Sequence, residues 1–186
     1  MKRRKHKKSF VVVAVLILVV LAGILIYFEH PEIYMPLRYQ QIVTEQAEKH
    51  HIDEALIYAV IYCESGFDSD AVSHAGACGL MQVMPQTAQE LAGKYKIPYA
   101  MLNDLFDPTI NIALGCSFLS ELIGHFRELP TAIAAYNAGR ARVKGWLAEP
   151  RYSSDGKTLR EIPYEETKNY VRKVLAAYEK YQKILS

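Results

Sequence analysis

The chain has 186 residues, 51% of them hydrophobic, with a formal net charge of +2, which suits one compact domain plus an appendage. Six of its 22 Lys and Arg residues (Lys2, Arg3, Arg4, Lys5, Lys7, Lys8) crowd into positions 2–8, leaving 16 basic against 20 acidic side chains elsewhere. The basic run is local and the remainder is acidic, which excludes nucleic acid as a partner.

Next to the basic run, residues 10–28 (FVVVAVLILVVLAGILIYF) carry no charge. At 1.5 Å rise per residue this stretch matches the ~30 Å hydrocarbon core of a bilayer. A cleaved signal peptide would have an apolar core of ~7–15 residues ending in small residues; here the run is longer and ends in Tyr27-Phe28-Glu29-His30-Pro31. The expectation is an uncleaved signal anchor: a cytoplasmic tail over 1–9, a single membrane pass over 10–28, a connector over 29–36 and a domain over 37–186 on the outer side of a bacterial cell membrane.

In the domain, Ile42, Val43 and Ala47 share one face of a helix that begins near Leu37. Asp53 caps a second helix, 54–63, which is apolar nearly all round and therefore central. It ends at Glu64. Residues 65–83 form a loop of small residues, and Pro85 starts the next helix. Residues 93–106 read as a loop with one short turn, and Asp107-Pro108 opens a helix over 108–126. Pro130 opens a short Ala-rich helix to Tyr136-Asn137, with Gly139 as a left-handed cap, and a further turn runs over 140–147. The polar stretch 148–160 turns at Asp155-Gly156, and after Pro163 a long helix runs to about Leu185, with a stripe of Val171, Val174, Leu175, Tyr178 and Tyr181. No segment alternates as a strand, so the domain is all-α.

Three cysteines, Cys63, Cys78 and Cys116, do not make a disulfide scaffold at this size; their surroundings suit small buried hydrophobes, although a bridge between Cys63 and Cys78 stays open. There is no C-x-x-C and no zinc-type spacing, so neither a metal nor any cofactor is expected.

The chemistry centres on residues 64–84. A lone Glu64 at the end of a buried helix, facing a Gly-rich loop, is where a general acid would stand; an exposed helix-terminal glutamate is the plain alternative. Glu64-Ser65, Ser73, Gly76-Ala77, Gly79-Leu80-Met81-Gln82, Met84-Pro85, Thr87-Ala88, Ala135-Tyr136-Asn137-Ala138-Gly139 and Glu166-Thr167 with Tyr170-Val171 stand in the order and spacing of the lytic transglycosylases. The chain resembles that lysozyme-like family from about residue 40 to its C-terminus, here in a membrane-anchored form.

The resemblance implies a peptidoglycan lytic transglycosylase that cleaves the β-1,4 bond between N-acetylmuramic acid and N-acetylglucosamine without water, leaving 1,6-anhydro ends. It makes Glu64 the single catalytic carboxyl, oriented by Tyr170, with Ser65 fixing the turn after it. Ser73, Gln82 and Asn137 would hydrogen-bond the sugar, Met84 and Tyr136 would wall the groove, and Glu166 would stand beside it in the first turn of the last helix. Tyr136 can equally be core packing and Asn137 a helix cap; His74 and His125 receive no role, and Trp146 reads as packing. The partners implied are glycan strands of peptidoglycan and, through 10–28, the membrane.

The chain departs from the family after Glu64, where Asp68-Ser69 replaces a common Asn-Pro. An extra carboxylate at Asp68 or Asp70 raises the alternative of a goose-type lysozyme that hydrolyses the same bond. An inactive glycan-binding module is a third alternative, disfavoured because Glu64, Gln82 and Tyr170 are all present.

Overall fold

The computed structural model describes residues 13–24 and 35–186. The chain divides into two units, Met1–Pro36 and Leu37–Ser186. In the first, a helix, α1, is described over 13–24, with large apolar side chains such as Leu16, Leu18 and Val19 turned outward. Among the described residues no helix is long and apolar enough to cross a membrane. The expected transmembrane span over 10–28 is corrected on this finding; its residues 10–12 and 25–28 lie outside the described residues, as do the basic tail and positions 29–34 of the connector.

The second unit is all-α. Its helices are α2 (Gln40–His50), α3 (Glu54–Ser65), α4 (Pro85–Tyr95), α5 (Pro108–Phe126), α6 (Leu129–Ala138), α7 (Arg140–Ala148) and α8 (Glu165–Leu185), with a 3-10 turn over Leu102–Phe106 before α5. Local chemistry sets most of the starts. The Asp53 carboxylate accepts from Ala55 N at 2.9 Å, and the Asp107 carboxylate from Thr109 N and Ile110 N at 2.8 and 3.1 Å, each satisfying first-turn donors that have no partner inside the helix. Pro85, Pro108 and Pro130 sit in the first turns, where a missing N–H costs nothing.

The core is α3. Every residue from Ala55 to Ile61 is buried, so the helix is enclosed on all sides, as its unbroken apolar run demands. It packs chiefly against α8, while α5 lies against α6 and α2, and α6 also meets α8. Tyr58 and Tyr181, both fully buried, stack with ring centroids 5.3 Å apart and lock α3 to α8. On α8 the buried set is Thr167, Tyr170, Val171, Val174, Ala177 and Tyr181. Leu175 and Tyr178 of the expected stripe sit at its border, where the Tyr178 hydroxyl donates to Asp53 Oδ2 at 2.7 Å. Glu121 ties α4, α5 and α7 together through Lys94 and Arg140, each at 2.7 Å. The three thiols are free, with Cys78 and Cys116 buried and Cys63 half-buried.

Gly139 differs from expectation. It joins α6 to α7 at φ 90°, ψ 142°, which is not the left-handed helical region but an extended conformation of opposite hand, open essentially to glycine alone.

Candidate active site

The site is assembled where α3, α6 and α8 converge on the segment 66–84. α3 ends at Ser65, and Gly66 caps it at φ 60° with its N–H donating to Tyr62 O at 3.2 Å. Glu64, in the last turn, is half-buried at the helix end. The Tyr170 hydroxyl, from α8, donates to Glu64 Oε1 at 2.6 Å. Burial disfavours the carboxylate and the tyrosine bond favours it; burial dominates and lifts the carboxyl to about 7. The same burial and the neighbouring Glu64 hold the Tyr170 and Tyr136 phenols well above their usual range, so both stay neutral donors.

Ser65 does more than fix a local turn. Its hydroxyl donates to Leu80 O at 2.8 Å and accepts from Phe67 N at 3.2 Å, joining the end of α3 to the Gly79–Gln82 segment. That segment has little regular structure of its own: two isolated bridges, Val72 with Cys78 and Cys78 with Val83, cross it. Its shape is imposed from outside and by side chains. Gln82, at φ 48°, turns its amide inward and donates to Gly79 O and Ala71 O at 2.9 and 3.1 Å. Ser73 Oγ accepts from Ala77 N at 3.0 Å, closing the tight turn 73–77. The Tyr136 hydroxyl, from α6, donates to Met81 O at 2.8 Å while its ring packs on Phe118 at 5.2 Å.

One residue central to this arrangement escaped the sequence reading. Asn111, fully buried on α5, accepts from Met81 N at 2.8 Å and donates to Cys78 O and Leu105 O at 2.9 and 2.7 Å. Its only signal in the sequence is an amide inside an otherwise apolar run, Ile110 to Leu114. The contact is close enough that a Cβ on Gly79 would stand 2.2 Å from Leu105 O and 2.3 Å from Asn111 Nδ2. Glycine is therefore demanded there by space as well as by its φ of +74°.

A cavity of about 410 Å³ opens over these residues. Of the expected site residues, Glu64, Ser73, Gln82, Met84, Tyr136, Asn137 and Glu166 line it. Ser65 and Tyr170 act from behind the wall through the bonds above. Asn137 is exposed, and its Oδ1 accepts from the Thr167 hydroxyl at 2.8 Å, which ties α6 to α8 at the groove. Glu166 is exposed in the first turn of α8. His74, given no role in the sequence, also lines the groove, carried on the tip of the 73–77 turn. Asp68 does not appear in the lining; its Oδ1 accepts from Asp70 N at 2.9 Å in an exposed turn.

Residues 41–160 match the model of the transglycosylase SLT domain. The chain belongs to the transglycosylase SLT family. As an SLT domain it is similar to the soluble lytic murein transglycosylase of Escherichia coli strain K12, with 35% identity over 159 residues, which is 83% of this chain and 25% of that protein. Among solved structures it resembles an inactive mutant of the lytic transglycosylase Slt from Pseudomonas aeruginosa, with a TM-score of 0.73 at 36% identity, covering 83% of this chain and 25% of that one. It also resembles the 70 kDa soluble lytic transglycosylase in complex with bulgecin A, with a TM-score of 0.76 at 31% identity, covering 89% and 27%. The SLT domain thus spans about a quarter of the length of these relatives. Its relatives include soluble lytic murein transglycosylases and, at 35% identity over 62% of this chain, the membrane-bound lytic murein transglycosylase F of Desulfosudis oleivorans. With no membrane-crossing helix among the described residues, the membrane-anchored form, the single-pass localisation and the bilayer as a partner are corrected accordingly.

Proposed function

We propose that this SLT domain is a peptidoglycan lytic transglycosylase, cleaving the β-1,4 bond between N-acetylmuramic acid and N-acetylglucosamine and leaving 1,6-anhydro-N-acetylmuramic ends. One observation carries the proposal: the half-buried carboxyl Glu64, lifted to about 7, lies on a groove with an oriented tyrosine behind it. At neutral pH an ordinary glutamate, at ~4.3, is protonated in roughly one molecule in 500. With its carboxyl lifted to about 7, Glu64 keeps its proton near neutral pH far more often, which makes it able to donate to a poor alkoxide leaving group.

With Oε1 held by Tyr170, Oε2 delivers the proton to the glycosidic oxygen as the bond to C1 breaks. The resulting carboxylate then takes the proton from the C6 hydroxyl of the same muramic sugar, whose oxygen closes on C1. The acid is regenerated and no water is consumed. A nucleophile tethered in the reacting sugar gains the high effective molarity of an intramolecular step. Ser73, Gln82 and Asn137 supply polar contacts to the sugar, Met84 and Tyr136 its apolar walls, and Glu166 a contact near the α8 N-terminus. A paired-carboxylate hydrolase needs a second acid close to the first. Asp68, which raised that alternative, is occupied in its own turn, which favours transglycosylation over lysozyme-like hydrolysis. The Pseudomonas relative is rendered inactive by a glutamate-to-glutamine change, in keeping with an essential glutamate.

The test is product analysis. Purified sacculi digested with the chain should yield anhydro-muramic ends by mass spectrometry, with Glu64→Gln as the inactive control. Reducing ends alone would overturn the transglycosylase reading.

A further inference from the structure

A second cavity, of about 310 Å³, shares no lining residue with the groove. It lies between the last turn of α5, the C-terminal half of α7 and the 149–160 segment, and its wall includes His125, Phe126, Lys144, Leu147, Gly156 and Lys157. Three of these are basic and none is acidic. Among the described residues neither Lys144 nor Lys157 has a carboxylate within ion-pair distance. Of the acids close in sequence, Glu121, Glu128 and Asp155 are engaged elsewhere, while Glu149, next to Ala148, is exposed and is not in the cavity wall. Glu121, one turn before His125, holds Lys94 and Arg140. Asp155 Oδ1 accepts from Lys157 N and Thr158 N, each at 2.8 Å, and from the Ser153 hydroxyl at 3.1 Å. These bonds, with Gly156 N donating to Ser153 Oγ at 3.0 Å and Leu159 N to Thr131 Oγ1 at 3.3 Å, make the 153–159 rim rigid. Two lysines and a histidine, the lysines without an ion pair among the described residues, therefore face a preformed hollow with no acid in its wall.

We propose that this cavity is an anion-binding site that takes a free carboxylate on a short peptide carried by the wall polymer. The choice of ligand rests on the peptidoglycan reading above; the site itself rests on charge and shape. A pocket this size is at the small end of ligand sites, enough for one or two amino-acid residues. Lys144 and Lys157 reach it as mobile point charges, while Phe126, Leu147 and Ala148 offer apolar surface to an alkyl side chain. A small amino acid with a free carboxylate presents both features; a bare phosphate would leave the apolar wall unused. His125 registers the local field: burial first, then Lys144 and Arg140, push its imidazole below the usual range. A bound anion would oppose that push.

The experiment uses the full chain, labelled with ¹⁵N, and three probes: a muramyl dipeptide with free carboxylates, its methyl ester, and inorganic phosphate. The free acid should shift the backbone amides of 144–148 and 156–157 and raise the midpoint of the His125 ring titration, while the ester does neither. Lys144→Glu combined with Lys157→Glu should weaken this binding at least tenfold and leave cleavage of peptide-free glycan oligomers unchanged. Equal shifts from acid and ester overturn the proposal, as do shifts from phosphate with none from the muramyl peptide, or unaltered binding in the double variant. Amides of 73–82 report the groove separately. Binding at 144–157 without any cleavage of sacculi would therefore sink the enzymatic reading alone.

Discussion

Replacing Glu64 by Gln should stabilise the protein above neutral pH while abolishing turnover. The folded chain holds the Glu64 proton up to about 7, whereas the unfolded chain releases it from ~4.3. Between those values the folded state binds more protons, so its stability falls as pH rises, by up to ~1.4 kcal/mol per unit. Below ~4.3 both states are protonated and the carboxyl imposes no penalty. Above about 7 the full difference of roughly 2.7 units applies, about 3–4 kcal/mol at most. Glutamine keeps the acceptor for the Tyr170 hydroxyl and cannot ionise. Thermal melts at pH 8 should therefore place Glu64→Gln roughly 6–12 °C above the parent for a gain of about 3 kcal/mol in a domain of this size. The gap should close by pH 4. A difference that is constant with pH, or that grows as pH falls, would refute the claim that burial holds this acid protonated.

Three further perturbations probe the same framework. Tyr170→Phe removes the one interaction that pulls Glu64 downward; the alkaline limb of kcat/KM should move up by about one unit, for a charge-assisted bond of ~1.5 kcal/mol, with kcat lowered because the carboxyl loses its orientation. A limb that moves down would contradict this. Asn111→Leu strands Met81 N–H and the Leu105 carbonyl, while the Cys78 carbonyl keeps its bond from Val83 N, and at ~1–3 kcal/mol per buried unsatisfied group should cost about 2–6 kcal/mol in urea unfolding; a loss under ~1 kcal/mol would mean that water or another group takes over. Gly79→Ala meets backbone and amide atoms at 2.2 and 2.3 Å, whereas Gly76→Ala, also at positive φ, meets nothing within 4 Å. The first should cost more than ~3 kcal/mol and the second ~1–2 kcal/mol; equal losses would show that φ alone decides.

Helix boundaries were legible because short-range chemistry writes them. Asp53 and Asp107 cap as expected, and the prolines mark the starts of α4, α5 and α6. The site was legible at Glu64 and along the groove because polar and small residues interrupt apolar helices there. Asn111 was not, because an amide in an apolar helix reads the same whether it points to a loop or to water; only the loop's arrival 30 residues upstream gives it a purpose. His74 was passed over for the opposite reason: a lone histidine in a polar loop gives no sign of which cavity the turn will lean over. The stretch 10–28 shows how far hydropathy reaches. It gives the apolar character of a segment, but among the described residues no helix is long and apolar enough to cross a membrane.

The hydroxyl that holds Glu64 comes from a residue 106 positions further along the chain, and the one that holds Met81 from 55 positions further. During synthesis, α3 and the loop leave the ribosome long before α8 exists to pack on them. Domains are made at about 5–20 residues per second, so the acid waits several seconds, while α4 to α7 are made, for its partner on α8. Contacts of such long separation form late in folding as well, since the intervening chain must be ordered first. The Glu64–Tyr170 pair thus forms only when α8 docks. A nascent or C-terminally clipped molecule has the glutamate but not the hydroxyl that holds it.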